Sequence, residues 1–341
     1  MSNICQIKNY ITNKGYTCAD GLVENFYLSL KSRPFTFILG NSDTDMAKLP
    51  GLFAEAVGAT SGNGRYLQLE VRPDWMDTSD LFGWLNLEGK FIPGVIIDFL
   101  KAAKEDPEHP YFLCLNHLIL SRSEYYLRDV LNTVESRGQE RELPYVPTIF
   151  YGRDEDAKET YGEIPLLKNL YITATVNLDE TSLPLNQKLL DRTHTMSMTS
   201  TDMSGEPTGN PAPITPDADF LHTTYTTLDQ CRDTEPYFET FEEINKILMQ
   251  ATSYLGFKIR NDAILYLTHN REEQVLPEDQ AMDHVIYQKV LPRLQGNAKL
   301  IRPVLENLLT YCREKEYEHT AGKLSHMIAQ CDEKNYCSCW E

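Results

Sequence analysis

The residues whose spacing suggests chemistry lie between positions 40 and 47. A short apolar, β-rich run, Phe35-Thr36-Phe37-Ile38-Leu39, ends at Gly40, and helical composition resumes at Leu49. Strand, glycine-opened turn and helix form the frame in which proteins cradle phosphate. In G-x-x-x-x-G-K-S/T the glycines let backbone N–H groups wrap the anion, the lysine neutralises it and the hydroxyl holds magnesium. Here the turn reads Gly40-Asn41-Ser42-Asp43-Thr44-Asp45-Met46-Ala47. Only the first glycine is kept. Asp45 stands at the second glycine, Met46 at the lysine and Ala47 at the hydroxyl. Asp43 and Asp45 add negative charge where phosphates would sit, and like charges a few ångströms apart cost on the order of several kcal/mol. By motif alone the turn reads as an ordinary loop, with a vestigial phosphate loop the lesser alternative.

Other reactive patterns are weaker. His194 and His222 stand isolated, and no Ser-His-Asp or H-E-x-x-H arrangement is visible. The eight cysteines are scattered. Cys337 and Cys339, with Cys331 and His326 upstream, lack the paired C-x-x-C spacing of a structural zinc site, so reduced thiols and no metal are expected. Trp75 and Trp84 flank Asp74, Asp77 and Asp80, which could coordinate a cation or, more simply, cap helices around an aromatic cluster. Glu239, Glu242 and Glu243 beside Phe238, Phe241 and Ile244 read as the solvated face of an amphipathic helix.

These residues need elements to position them. Helical patterns are expected at 3–12 and 20–31, the second carrying Leu22, Val23, Phe26, Tyr27 and Leu30 on one face. After the strand at 35–39 come a helix at 49–57, a strand at 66–71, a helix at 94–104 and a strand at 111–115. A helix at 123–135, a strand at 170–176 and a helix at 183–190 continue the alternation. Such alternation implies a parallel sheet covered on both faces. Residues 196–219, rich in Ser, Thr, Pro and Gly, predict a flexible insertion or linker. From Phe238 onward only helical patterns are expected, at 238–254, 260–270, 278–291, 297–313 and 318–332. The expected division is N-terminal helices over 1–34, an α/β domain over 35–195, a linker over 196–235 and an all-α domain over 236–341.

Composition narrows the function classes. The 341 residues are 41% hydrophobic and 24% charged, enough for two globular domains. A net charge of −18 opposes nonspecific DNA binding, which depends on cations neutralising phosphates. No run approaches the roughly 18 apolar residues of a membrane span, and MSNICQIKNY lacks the apolar stretch of a signal peptide. A cytoplasmic location without membrane contact is expected.

Further stretches carry a family likeness. They are Leu49-Pro50-Gly51-Leu52-Phe53-Ala54-Glu55-Ala56-Val57-Gly58, Val71-Arg72-Pro73-Asp74-Trp75, Asp80-Leu81-Phe82-Gly83-Trp84 and Gly89-Lys90-Phe91-Ile92-Pro93-Gly94. Pro110-Tyr111-Phe112-Leu113-Cys114-Leu115, Glu124-Tyr125-Tyr126, Asn169-Leu170-Tyr171-Ile172, Thr175-Val176-Asn177-Leu178-Asp179-Glu180 and Leu190-Asp191-Arg192 continue it. Leu291-Pro292-Arg293-Leu294-Gln295-Gly296 and Trp340 complete it. In order and spacing these resemble the McrB-like AAA+ NTPases, motor subunits of modification-dependent restriction systems, over nearly the full chain.

The resemblance implies an α/β, parallel-sheet P-loop NTPase (AAA+) core with a C-terminal all-α lid domain. It also implies an Asp-Glu pair closing the strand at 111–115, the Asp orienting magnesium and the Glu activating water. Asn116 and His117 stand there instead. Asn lacks the charge a hard cation favours, and a histidine base achieves little without a metal to position phosphate and water. Leu118-Ile119 departs from the family too. Asn177 matches the family's sensor asparagine, or closes a strand into a turn. Arg192 matches an arginine that reaches the neighbouring subunit's nucleotide, or pairs at the surface with Asp191 or Glu180. Arg260 is either a second sensor or part of a structural salt bridge.

The expected function is therefore a pseudo-NTPase acting as a scaffold or interaction subunit of a restriction or defence complex. Its expected partners are an AAA+ paralogue or a nuclease-type effector in a homo- or hetero-oligomer. No cofactor is expected; ATP or GTP with Mg2+ belongs to the alternative, a working McrB-like motor with an unorthodox site. Family motors carry a DNA-reading domain ahead of this core, and about 34 residues without a basic cluster precede the first strand, so direct DNA binding is not expected.

Overall fold

The computed structural model describes residues 3–41, 44–75, 77–118, 123–127, 151–162, 167–178, 187–198, 206–209, 211–215, 220–221, 227–251 and 254–340. The first part of the chain gives α1 (Asn3–Asn13), α2 (Leu22–Ser32), β1 (Phe35–Gly40), α3 (Lys48–Ala56), β2 (Tyr66–Glu70) and α4 (Ser79–Phe82). Then follow β3 (Gly83–Leu85), β4 (Phe91–Pro93), α5 (Ile97–Glu105), β5 (Tyr111–Asn116), α6 (Ser123–Tyr126) and α7 (Glu155–Tyr161). β6 (Leu170–Asn177), α8 (Gln187–Leu190) and β7 (His194–Met198) complete the α/β part.

Five strands pair in the order β2-β5-β6-β1-β7, all parallel. Every residue of β1 is buried, as a strand covered on both faces requires. Its side chains alternate between two cores. Phe35, Phe37 and Leu39 join the cluster beneath α5, and Ile38 joins the one shared with α1, α2 and α3. Phe26, Phe35, Phe37 and Phe53 are sealed completely, each burial contributing about 1.5–3 kcal/mol. Register aligns the strand ends, with Gly40 opposite Asn177 and Met198, and Glu70 opposite Asn116. Gly40, Asn116 and Asn177 thus lie along one edge of the sheet.

The C-terminal part packs α9 (Glu235–Leu248), α10 (Phe257–Glu273), α11 (Glu278–Lys289), α12 (Ala298–Glu314) and α13 (Glu318–Glu333). α10 lies at its centre, buried on all sides from Asp262 to Asn270. α9 has the expected amphipathic form, with Tyr237, Phe241, Ile244 and Leu248 inward.

Several local expectations change. β7 continues the sheet past residue 195, and 196–198 are strand rather than linker. The described residues of the expected flexible segment are anchored. Thr208 N donates to Asn13 O at 3.0 Å, and Ile214 N donates to Ala56 O at 2.8 Å. A small antiparallel pair, β8 (Gly296–Asn297) with β9 (Tyr336–Cys337), interrupts the region expected to be purely helical. The hairpin β3–β4 and α7 had no sequence signal strong enough to predict them. Residues 128–135 and 183–186 of two expected helices, and His222, lie outside the described residues. No helix among the described residues is long and apolar enough to cross a membrane.

Candidate functional site

The turn after β1 is closed on itself. A Cβ on Gly40 would collide with Met198 O and lie 2.6 Å from Thr44 Oγ1 and 3.0 Å from Met46 Sδ. Glycine is kept here because strand, turn and thioether meet at this point. Thr44 N and Thr44 Oγ1 both donate to Asn41 O, at 3.0 and 2.7 Å. Lys48 N donates to Asp45 O at 3.0 Å and opens α3. Thr44, Met46 and Ala47 are buried, Met46 at 5% exposure. Asn41 and Asp45 are exposed, and Asp45 adopts a left-handed φ of 41°, a conformation that glycine enters freely and Asp tolerates. Ser42 and Asp43 lie outside the described residues. A phosphate cradle needs convergent unpaired N–H groups and a cation. Here two of the amides are spent within the turn, and a methionine fills the space beside Gly40. Lys48, which follows the turn, extends over the Tyr16 ring, 5.4 Å from its centre.

One strand pair away, the end of β5 is tied into a second polar group. Asn116 Nδ2 donates to Glu70 Oε1 at 2.8 Å, and Thr175 Oγ1 donates to Asn116 Oδ1 at 2.5 Å. His117 turns with φ 55°; its N–H donates to Thr175 Oγ1 at 3.0 Å, and Nδ1 lies 3.0 Å from Glu70 Oε2. Both ends of the Asn116 amide are therefore engaged. Glu70, which sequence reasoning passed over, supplies the one carboxylate of this cluster. Its signal was available: a Glu closing a strand whose parallel partner ends at Asn116.

Asn177 sits beside the turn, opposite Gly40 in register and buried. Its Oδ1 has no hydrogen-bond partner among the described residues. That oxygen is open to a donor such as water, while the Nδ2 of the same amide could serve an oxygen. It is the self-paired turn and the neutral Asn116 that do not fit a Mg2+-nucleotide.

Arg192 lies at the opposite edge of the sheet from Gly40. It precedes β7, whose His194 pairs with Thr36 and Met198 with Gly40. At about 3.3 Å per residue, the turn and Arg192 are separated by nearly the length of the strand. Asp191, one surface partner expected for Arg192, instead pairs with Arg293 across the seam to the helical domain. Glu180 lies outside the described residues. Arg260 forms no carboxylate pair among the described residues; its guanidinium lies 4.6 Å from the Phe238 ring centre and 5.0 Å from that of Phe257. The two rings, with Nη2 donating to Asn261 Oδ1 at 3.1 Å, hold it rather than a salt bridge among the described residues.

His194, isolated in sequence, is fully buried at that seam. Nδ1 lies 2.7 Å from Gln288 Oε1, and Nε2 3.1 Å from Ser32 Oγ. Gln288 Nε2 and Tyr266 OH both donate to Asn25 Oδ1, at 2.5 and 2.8 Å. Beside them Asp262 pairs with Arg33 and with Lys289, whose Nζ also donates to Thr193 O at 2.7 Å. Burial pushes Lys289 down to about 8 and His194 well below its usual range.

Of the flanking features, Trp75 is buried against Tyr126 with ring centres 5.7 Å apart, whereas Trp84 is half exposed and outside that cluster. Asp77 accepts from Ser79 N at 2.7 Å at the start of α4, and Asp74 pairs with Arg72, so these carboxylates serve caps and local pairs. Cys337 and Cys339 are buried, burial pushing the Cys339 thiol up to about 12. No disulfide and no group of three metal-binding side chains occurs among the described residues.

Comparison with known proteins places this architecture. A family described as a domain of unknown function (DUF8727) matches residues 211–336. No curated protein matches. A solved structure from Cytophaga hutchinsonii, described as a candidate ATPase, is 12% identical with a TM-score of 0.50, over 85% of this chain and 87% of that one. The likeness is one of fold. The chain has an α/β, parallel-sheet fold of P-loop NTPase kind with a C-terminal helical part, the lid.

Proposed function

We propose that this chain is a non-hydrolysing AAA+-like protein, kept for its surfaces as a scaffold or interaction subunit. The observation that carries this reading is the turn after β1, where Met46 packs beside Gly40 and Thr44 spends its amide and hydroxyl on Asn41. Phosphoryl transfer is catalysed by positioning and electrostatic stabilisation, and each donor of that kind is commonly worth about 3–4 kcal/mol. Lysine, magnesium-binding hydroxyl and acidic pair are missing together. The stretches shared with McrB-like proteins support a place in a restriction or defence complex beside an active AAA+ paralogue or a nuclease-type effector. Arg192, remote from its own chain's turn, would serve a neighbouring subunit in such a ring. Turnover assays with ATP and GTP and Mg2+ should give no hydrolysis above the buffer rate. Hydrolysis abolished by Asn177→Ala would overturn the reading.

One observation favours a second reading, a working NTPase. His117 lies 3.0 Å from the Glu70 carboxylate, the pairing that orients an imidazole as a general base. If that pair activates water, Glu70→Gln lowers turnover at least about tenfold. In the scaffold reading there is no turnover to lower.

A further inference from the structure

A cavity of about 760 Å³ opens between the α/β part and the helical lid, outside the turn. Its size is that of small-molecule sites, roughly 300–1,000 Å³. The linker before α2, the end of β7, α11 and the turn joining α12 to α13 form its walls. Leu22 and Met196 contribute apolar surface, and Tyr287 stacks on His319 with ring centres 4.3 Å apart.

Its charge is one-sided. Asp20, Asp279, Asp283, Glu316 and Glu318 line it, with no Lys or Arg. Asp283 is occupied, accepting from His319 N and Thr320 N at 2.8 Å each and so capping α13. Asp20 already holds an ammonium, that of Lys8, at 3.3 Å. Asp279, Glu316 and Glu318 are exposed and have no cation within 4.0 Å among the described residues. The histidines add no opposing charge: burial pushes His284 down to about 4 and lowers His319 too. His284 Nε2, on the cavity wall, is buried without a hydrogen-bond partner among the described residues. A buried polar nitrogen left unsatisfied calls for a partner, and a neutral imidazole can offer an acceptor to an N–H group.

We propose that this cavity binds a small organic polyamine, its ammonium groups held by Asp279, Glu316 and Glu318 and its chain laid against the Tyr287–His319 stack. The proposal is independent of whether the turn after β1 takes nucleotide, and goes beyond it.

The test is calorimetric titration of the full chain with spermidine at about 150 mM salt, where long-range attraction to the −18 chain is screened beyond about 8 Å. Spermidine should bind with a Kd below about 1 mM. Asp279→Asn with Glu316→Gln, both exposed, should weaken it at least about tenfold. Glu239→Gln with Glu242→Gln, on α9 away from the cavity wall, should leave it unchanged. No binding, or equal weakening by both double variants, overturns the proposal. So does Mg2+ competing at equal concentration, or a capped trilysine peptide binding more tightly than spermidine, which would make the site a protein-docking one.

Discussion

Lys289 Nζ lies 3.6 Å from the Asp262 carboxylate, with side-chain exposures of 1% and 0%. Arg33, following α2, reaches the same carboxylate, and Thr193 O, before β7, accepts a hydrogen bond from the lysine. N-terminal helix, sheet edge and lid are therefore joined through one sealed cluster. Buried charges are costly to desolvate and tolerable only when paired; here Asp262 Oδ2 has the Lys289 charge nearby but no hydrogen bond among the described residues. The cluster accordingly specifies one placement of lid on sheet, a property suited to a scaffold.

Removing the shared carboxylate strands two cations. Asp262→Asn should cost about 3–5 kcal/mol, read as a lower urea midpoint with an unchanged slope. Lys289→Met keeps the volume and leaves Asp262 paired with Arg33, so it should cost only about 1–2 kcal/mol for the orphaned Thr193 carbonyl.

The same seam sets the pH dependence. His194, held well below its usual 6.5 by burial, stays neutral in the folded state while the unfolded chain takes up a proton. Stability is therefore complete above about 6.5 and falls below it, by up to about 1.4 kcal/mol per pH unit for this group. His284 and His319 act in the same direction. Lys289, pushed down to about 8, sheds its proton when folded before the unfolded lysine does near 10.4, so its contribution rises with pH between those values. Above about 10 the buried phenols, Tyr266 foremost, reverse the trend, because unfolded tyrosines ionise first. Urea midpoints across pH 5–11 check this. His194→Gln should reduce the acid-side slope by about one proton.

The turn after β1 makes a packing prediction. In a working phosphate loop the position of Met46 faces the ligand, and truncating it would barely affect stability. Here Met46 is 5% exposed, and Met46→Ala should cost about 2–3 kcal/mol. Thermal unfolding of the purified variant decides between the two.

Much of this architecture was legible because apolar periodicity and burial agree. α2, β1, α3, β5, β6, α11, α12 and α13 fall within one to two residues of expectation, whereas α9 and α10 begin three residues early, α9 ends six residues short and α10 runs three residues long. β7 was not legible. His194-Thr195-Met196-Ser197-Met198 is half polar, and it is buried only because Gln288 and Ser32 satisfy His194 and Gln288 O accepts from Thr195 Oγ1 at 2.7 Å. Partners distant in sequence cannot be read from a local window. Glu70 was missed for the same reason, since its role comes from register with Asn116. The changed residues of the turn were visible in the sequence, but not that Met46 would pack inward beside Gly40. Arg260 shows the reverse case, a charge expected to find a carboxylate that found two rings.

The most direct measurement is calorimetric titration of the full chain with ATP and with GTP, each with and without Mg2+. A turn that spends its amides on its own carbonyls and seats a thioether beside Gly40 should give no saturable heat up to millimolar nucleotide. Binding in the micromolar range, strengthened by Mg2+ and weakened by Asn177→Ala, would contradict it.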